Sequence, residues 1–103
     1  MTTADLQFSI AADHPCLAGH FPGRPIVPAV VLLDQILNLA REQFAGLGPL
    51  RAVSMAKFMQ PVLPEQRVTV SLELRDGGTM VEFRCQNTIG TVAQGRFKVD
   101  IQP

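Results

Sequence analysis

The sequence predicts an α+β domain in which an antiparallel sheet packs against one long helix. Several segments show apolar residues at every second position, and one apolar stretch beginning near residue 28 has helical periodicity instead. The resulting order is a strand, a helix and then four strands, which favours an antiparallel sheet with the helix on one face. The 103 residues, 47% of them hydrophobic, are expected to form a single domain spanning 1–103.

The strands are predicted from alternation and from the turns between them. Near the start, Leu6, Phe8 and Ile10 alternate with polar residues. The last strand carries two small residues, Ala93 and Gly95, on its inner face, where they would let a helix lie close. The predicted strands are residues 6–10, 50–58, 68–75, 79–86 and 91–101, with hairpin turns at 76–78 and 87–90.

The helix is predicted over residues 28–44. Pro28 suits the first helical position, where a missing N–H costs nothing, and Gly46 with the following Gly48-Pro49 ends the helix. Asp34 lies near the edge of the polar side. The expected apolar arc is Leu33, Ile36, Leu37, Ala40 and Phe44, and the polar arc is Gln35, Asn38, Arg41 and Glu42.

Charge and composition exclude several classes of protein. The formal net charge is zero, and the seven arginines and two lysines are dispersed, so no nucleic-acid surface is expected. No apolar run reaches the ~18–20 residues of a membrane span. Cys16 and Cys85 fit neither a metal site nor a disulfide framework, and the first ten residues do not resemble a signal peptide, so we expect a reduced, cytoplasmic protein. The small size favours a homo-oligomer.

The stretch GHFPGRPIVPAVVLLD, residues 19–34, places a histidine and an aspartate at the two ends of an apolar segment. Its prolines and glycines describe a rigid, tightly turned loop that leads directly into the helix. His20 by itself is more often a structural hydrogen-bonding residue, and His14 is assigned that role. If His20 and Asp34 lay near one apolar channel, they would nevertheless supply the two groups that proton transfer requires, an imidazole and a carboxyl group.

Asp34 has two interpretations. It could be a surface aspartate, with Asn38 and Arg41 one and two turns further on. Against this, the apolar residues at 26–27 and 30–33 describe a helix start that is enclosed on all sides. Asp34 would then be the first polar side chain inside the enclosure, and burial would raise the pKa of its carboxyl so that it could donate a proton.

These residues resemble the β-hydroxyacyl-(acyl carrier protein) dehydratases of the FabZ and FabA types, which have the hotdog fold, a sheet wrapped around one central helix. The family signature, HFPGxPxMPG followed by an apolar run and an acid, stands here as HFPGRPIVPA with Asp34 fourteen positions after His20. A second block, KFMQPVLP at 57–64, is similar to the family's KFxxPVxPG segment. Aspartate replaces the FabZ-type glutamate, Ala29 replaces the usual glycine, and the chain is shorter than typical members.

The resemblance implies a role for each site residue. His20 would remove the α-proton, with its second ring nitrogen bonded to the Ile26 carbonyl, and Asp34 would protonate the leaving hydroxyl. The backbone N–H of Ala29 would bind the thioester oxygen at the helix start. Asn38 would hold the Asp34 carboxyl. The other substrate-binding candidates are Gly23, Phe21, Val31 and Leu33.

The expected function is therefore dehydration of a (3R)-hydroxyacyl-acyl carrier protein to the trans-2-enoyl product, without metal or cofactor. The family's histidine and acid come from different subunits of a dimer, and Arg84, Arg96 and Lys98 are candidate contacts for an acidic carrier protein. Two alternatives stay open. One is a hotdog thioesterase or a hydratase acting on coenzyme A thioesters, and the other is a non-catalytic subunit that pairs with an active dehydratase.

Overall fold

Five antiparallel strands form one sheet, and one helix packs on it. The computed structural model describes residues 2–11 and 26–100. The elements are β1 (Thr2–Phe8), α1 (Ala29–Gln43), β2 (Leu50–Phe58), β3 (Val68–Arg75), β4 (Met80–Gln86) and β5 (Thr91–Val99), with a 3-10 turn at Asp76–Gly78. The strand order is β1-β3-β4-β5-β2, which places β1 and β2 at the two edges. The predicted α+β class, with an antiparallel sheet and one helix, is confirmed.

The predicted strand bounds agree closely with the structure. β2 and β3 coincide with the prediction, and β4 starts one residue later. β1 begins earlier, at Thr2, and ends at Phe8, because all seven of its residues pair with β3. Ile10 therefore lies beyond the strand, yet it is buried, and its carbonyl accepts a hydrogen bond from the Glu65 N–H at 2.7 Å. β5 ends at Val99, and residues 101–103 lie outside the described part.

The core lies between the helix and the inner face of the sheet. Alternate residues of paired strands meet there, as in the pair Leu72 and Phe83 and the pair Val81 and Phe97, and all four are buried. The rings of Phe83 and Phe97 stack with their centroids 5.0 Å apart. The helix adds Leu32, Ile36, Ala40 and the following Phe44 to this cluster.

The helix is turned slightly from the predicted orientation. Leu33 and Leu37, which were expected in the apolar arc, are half-buried. The row that faces the sheet runs through Leu32, Ile36 and Ala40, each four residues from the next. Side chains spaced by four form one ridge on a helix, and this ridge is the one in contact with the strands. No helix of the described ranges is long and apolar enough to cross a membrane.

Gly95 is small for a different reason from the one predicted. Ala93 and Gly95 are buried on the inner face, as expected. A side-chain carbon at Gly95, however, would lie 2.6 Å from the Phe83 ring and would overlap the Met55 carbonyl oxygen. The missing side chain makes room for a neighbouring aromatic ring and for the β2 backbone, and the expected close approach of the helix is not what requires it.

Candidate functional site

An apolar groove of about 310 Å³ opens at the start of the helix. One wall is formed by Val27 and the helix start. The other wall is formed by the end of β2 and the segment that follows it. A backbone hydrogen bond of 2.8 Å from the Val27 N–H to the Val62 carbonyl joins the two walls. The groove is lined by Val27, Ala29, Leu32, Phe58, Met59, Gln60, Pro61 and Val62.

The helix start carries backbone donors that no side chain of the described residues caps. Pro28 occupies the capping position in extended conformation and makes no side-chain cap bond. Its carbonyl already accepts from the N–H groups of Val31 and Leu32, both at 3.1 Å. Ala29, the first helical residue, is exposed and lines the groove. Because the first N–H groups of a helix have no intrahelical acceptor and the helix dipole is positive here, this end can bind a partly negative oxygen.

Asp34 lies on a different side of the helix. Five residues separate it from Ala29, which amounts to about 140° around the helix axis. Asp34 is exposed in the single chain, and Val30, one turn before it, is 76% exposed. The predicted all-round enclosure is therefore wrong for one chain, because the sheet covers only one face of the helix.

The predicted partners of Asp34 are not in contact with it. Asn38 lies one turn further along the same exposed face, but no hydrogen bond joins these two described side chains. Arg41 is used elsewhere, since its Nη1 donates to the carbonyls of Leu47 at 3.3 Å and Gly48 at 2.9 Å. Asp34, Asn38 and Arg41 are all exposed in one chain, as the surface interpretation expects, but no hydrogen bond or ion pair joins Asp34 to either of the other two described residues.

The structure describes some of the remaining predicted site residues and not others. His20, Phe21 and Gly23 lie outside the described residues, as do His14 and Cys16. Val31 and Leu33 are half-buried beside the exposed helix face that carries Asp34. Of the predicted site residues that the structure describes, Ala29 lines the groove and the others do not.

Gln60 is a groove residue that the sequence did not single out. It belongs to the KFMQPVLP block, but its side chain bonds to Asn87, 27 residues further along. No local pattern signals such a contact.

The β2 edge is an exposed apolar surface. Every residue of β2 is exposed, although a strand of a folded sheet usually buries one face. We call this surface the β2 edge, and it is defined by Leu50, Val53, Met55 and Phe58, each 40–43% exposed, with Met59 and Leu63 beyond the strand, each 47% exposed.

The basic residues of β4 and β5 are partly engaged within the chain. Arg96 lies 3.1 Å from a Glu82 carboxylate oxygen, and Arg84 donates to the Thr91 hydroxyl at 3.3 Å. Lys98 is exposed at the end of the sheet opposite the groove, beside a wide depression that also includes Arg51. The contact with Glu82 reduces the charge that Arg96 can offer to an acidic partner, whereas the contact with a hydroxyl group leaves the charge of Arg84 in place.

In the part of the chain that the structure describes, the one long helix, the five-stranded antiparallel sheet and the groove at the helix start define a hotdog-fold protein. The dehydratase heterocomplex ApeI:P from Xenorhabdus doucetiae superposes with a TM-score of 0.84 at 24% identity, over 94% of this chain and 86% of that one. The (R)-hydratase from A. caviae superposes with a TM-score of 0.69 at 22% identity, over 97% and 94%. The predicted hotdog fold is confirmed.

The chain belongs to the ApeI-like dehydratase family, whose model matches residues 1–96. It is similar to the 3-hydroxyacyl-acyl-carrier-protein dehydratase FabZ of Symbiobacterium thermophilum, with 33% identity over 64% of this chain and 51% of the relative. The FabZ of Rhizobium rhizogenes is 32% identical over 75% of this chain and 54% of the relative. The matches therefore span about half the length of these relatives.

Proposed function

We propose that this protein dehydrates a (3R)-hydroxyacyl chain, carried as a thioester on an acyl carrier protein, to the trans-2-enoyl thioester. The observation that carries the proposal is the uncapped helix start at Ala29, open to an apolar groove. A thioester needs an apolar site for its chain and backbone donors for its carbonyl oxygen, and both are present. The family membership supports dehydration as the reaction.

The chemistry divides among three groups. His20 takes the α-proton, which leaves the electron pair of that C–H bond to form the new carbon–carbon double bond. The Ala29 N–H binds the thioester oxygen while it carries the developing enolate charge, and the helix dipole adds to this stabilisation. Asp34 gives a proton to the β-hydroxyl as its C–O bond breaks. Water leaves, and no external electron donor or acceptor is required.

The site is proposed to be shared by two subunits. Within one chain, Ala29 lines the groove whereas Asp34 lies about 140° around the helix. A second subunit that covers the exposed helix face and the β2 edge would bring its own His20 and Ala29 to the Asp34 of the first. The apolar β2 edge, in which every strand residue is exposed, supports such a contact, because burying its side chains removes apolar surface from water.

Turnover of (3R)-hydroxyacyl thioesters, followed by the absorbance of the enoyl product, tests the catalytic roles. We expect His20→Ala and Asp34→Asn each to lower kcat by about a hundredfold or more, the usual size for losing a general base or acid. Glu42→Gln is the matched control, since Glu42 is another exposed carboxylate of the same helix. A folded wild type without turnover on carrier-protein or coenzyme A thioesters would contradict the proposal, and turnover restricted to coenzyme A thioesters would favour a hydratase.

Sedimentation of two variants tests the shared site. Val53→Asp places a charge on the β2 edge, and we expect it to shift the protein toward monomer and to abolish turnover. Ile89→Asp is the control, because Ile89 is 81% exposed but lies in the turn between β4 and β5. A monomeric wild type with full activity would exclude a site made by two subunits.

A second candidate is a non-catalytic subunit that pairs with an active dehydratase. Ala29 favours it, because a side chain now stands at the groove where the dehydratases that this chain resembles usually have glycine. The structural relative ApeI:P is itself a heterocomplex. Ala29→Gly separates the two candidates: a gain from no measurable turnover to clear turnover would show that the methyl group blocks the site.

A further inference from the structure

Two side-chain amides, those of Gln60 and Asn87, pair beside the groove. The Asn87 Nδ2 donates to the Gln60 Oε1 at 3.1 Å, and the Gln60 Nε2 lies 3.5 Å from the Asn87 Oδ1. The Gln60 Nε2 also donates to the Thr91 carbonyl at 3.1 Å. The Asn87 Oδ1 accepts from the backbone N–H groups of Ile89 at 2.9 Å and Gly90 at 3.1 Å.

Backbone groups fix the direction in which each amide points. The Thr91 carbonyl requires a donor, so the Gln60 Nε2 must face it and the Oε1 is left for Asn87. Two backbone N–H groups require an acceptor, so the Asn87 Oδ1 faces the turn and its Nδ2 is left for Gln60. Reversing either amide would set donor against donor or acceptor against acceptor. The pair therefore has one favourable arrangement.

The pair fastens the groove wall at its midpoint. The wall is also held by backbone hydrogen bonds at its two ends, from Met59 N–H to the Val92 carbonyl and from Val27 N–H to the Val62 carbonyl, both 2.8 Å. Between these bonds lie Gln60 and Pro61, and proline has no N–H to offer. The Gln60 side chain thus provides the attachment of this stretch to the turn between β4 and β5.

We propose that the Gln60–Asn87 amide pair is a positioning device that sets the distance between the groove wall and the helix start, and so the fit of the thioester. The inference rests on the proposed function, because it takes the groove as the acyl thioester site. Neither residue touches the reacting atoms in this proposal. Gln60 and Asn87 act through the segment that carries Phe58 and Met59 and faces Ala29.

The experiment combines kinetics with amide hydrogen exchange on the full chain. Gln60→Met keeps the length of the side chain and removes the contacts of its amide with Asn87 and with the Thr91 carbonyl. Asn87→Asp keeps the acceptor for the turn and removes the Nδ2 donor. Thr88→Ala, at an exposed residue of the same turn, is the control. For both test variants we expect kcat/KM to fall about tenfold, mainly through a higher KM, as when a substrate is held less well in place.

The amide exchange rates report directly on how firmly the groove wall is held. We expect the Val27 and Met59 amides to exchange about tenfold faster in the test variants, while the Val70 amide in the centre of the sheet keeps its rate. Unchanged exchange at Val27 and Met59 would overturn the proposal. Faster exchange with unchanged kcat/KM would also overturn it, because the pair would then serve stability alone. A wild type without turnover would refute the proposed function, and the exchange rates alone would then decide whether the pair holds the wall. If Gln60→Met does not fold, Asn87→Asp decides.

Discussion

Replacing Gly95 by alanine has two opposing effects on stability. Alanine is favoured over glycine within a strand, but its methyl group would overlap neighbouring atoms. Glycine within a strand costs roughly 0.5–1 kcal/mol relative to alanine, so an unhindered replacement would stabilise the protein. At Gly95 the added methyl lies 2.6 Å and 2.9 Å from two carbons of the Phe83 ring and overlaps the Met55 carbonyl. The ring could move, but the carbonyl belongs to the paired backbone of β2. Inserting a methyl group into a filled core costs about 1–3 kcal/mol.

We therefore expect Gly95→Ala to lower the free energy of unfolding by about 1–2 kcal/mol, which corresponds to roughly 4–16 °C in Tm for a domain of this size. Urea unfolding at several protein concentrations measures the loss and separates it from dissociation. Phe83→Leu provides a double-mutant cycle: the cost of Gly95→Ala should shrink if the ring contact dominates and persist if the carbonyl contact does. A stabilised or unchanged Gly95→Ala would refute the argument.

Four further substitutions test core packing, the buried thiol and the hydrogen bonds that follow the helix. Ile36→Ala removes a side chain with no exposed surface and should cost about 2–5 kcal/mol in urea unfolding, whereas Val30→Ala, 76% exposed in one chain, should cost less than ~0.5 kcal/mol in a monomeric background. Burial raises the pKa of the Cys85 thiol from 9.0 to about 12, so its contribution to stability is complete below pH 9 and is lost as the pH rises toward 12. The unfolding free energy should fall above pH 9, and less steeply in Cys85→Ala. Arg41→Met removes two hydrogen bonds to carbonyls after the helix and should lower the thermal midpoint by an amount equivalent to about 1 kcal/mol; an unchanged midpoint would show that these bonds add nothing.

The fold could be predicted because each element is signalled by a short-range pattern. The alternation across Val68–Arg75 needs only eight residues, and the helix is bounded by Pro28 at one end and by the glycines after Phe44 at the other. The rotation of the helix by roughly 40° from the predicted orientation could not be predicted. It depends on which ridge fits the sheet, and Leu32 and Leu33 are equally apolar in the sequence.

The site was less predictable because its parts are not neighbours in sequence. Ala29 was placed correctly at the helix start, since capping and the helix dipole are local properties. The sequence left Asp34 open between a surface position and an enclosed one, because an apolar helix face can be covered by the same chain or by another one. The amide pair of Gln60 and Asn87 joins two loops, and no pattern of either loop implies the other.

The arrangement of the helix explains why a domain of this size would divide its site between subunits. One face of the helix is needed to complete the core, and among the described residues no second layer covers the opposite face, where Asp34 and Val30 lie exposed in one chain. An acid that must work in a dry site there needs cover from outside the chain. The same cover would shield the β2 edge, because β2 is the last strand of the described sheet and pairs with β5 along one side only, so that another chain could add to it. Stability and catalysis would then depend on one association, so that weakening the β2 edge should reduce both together.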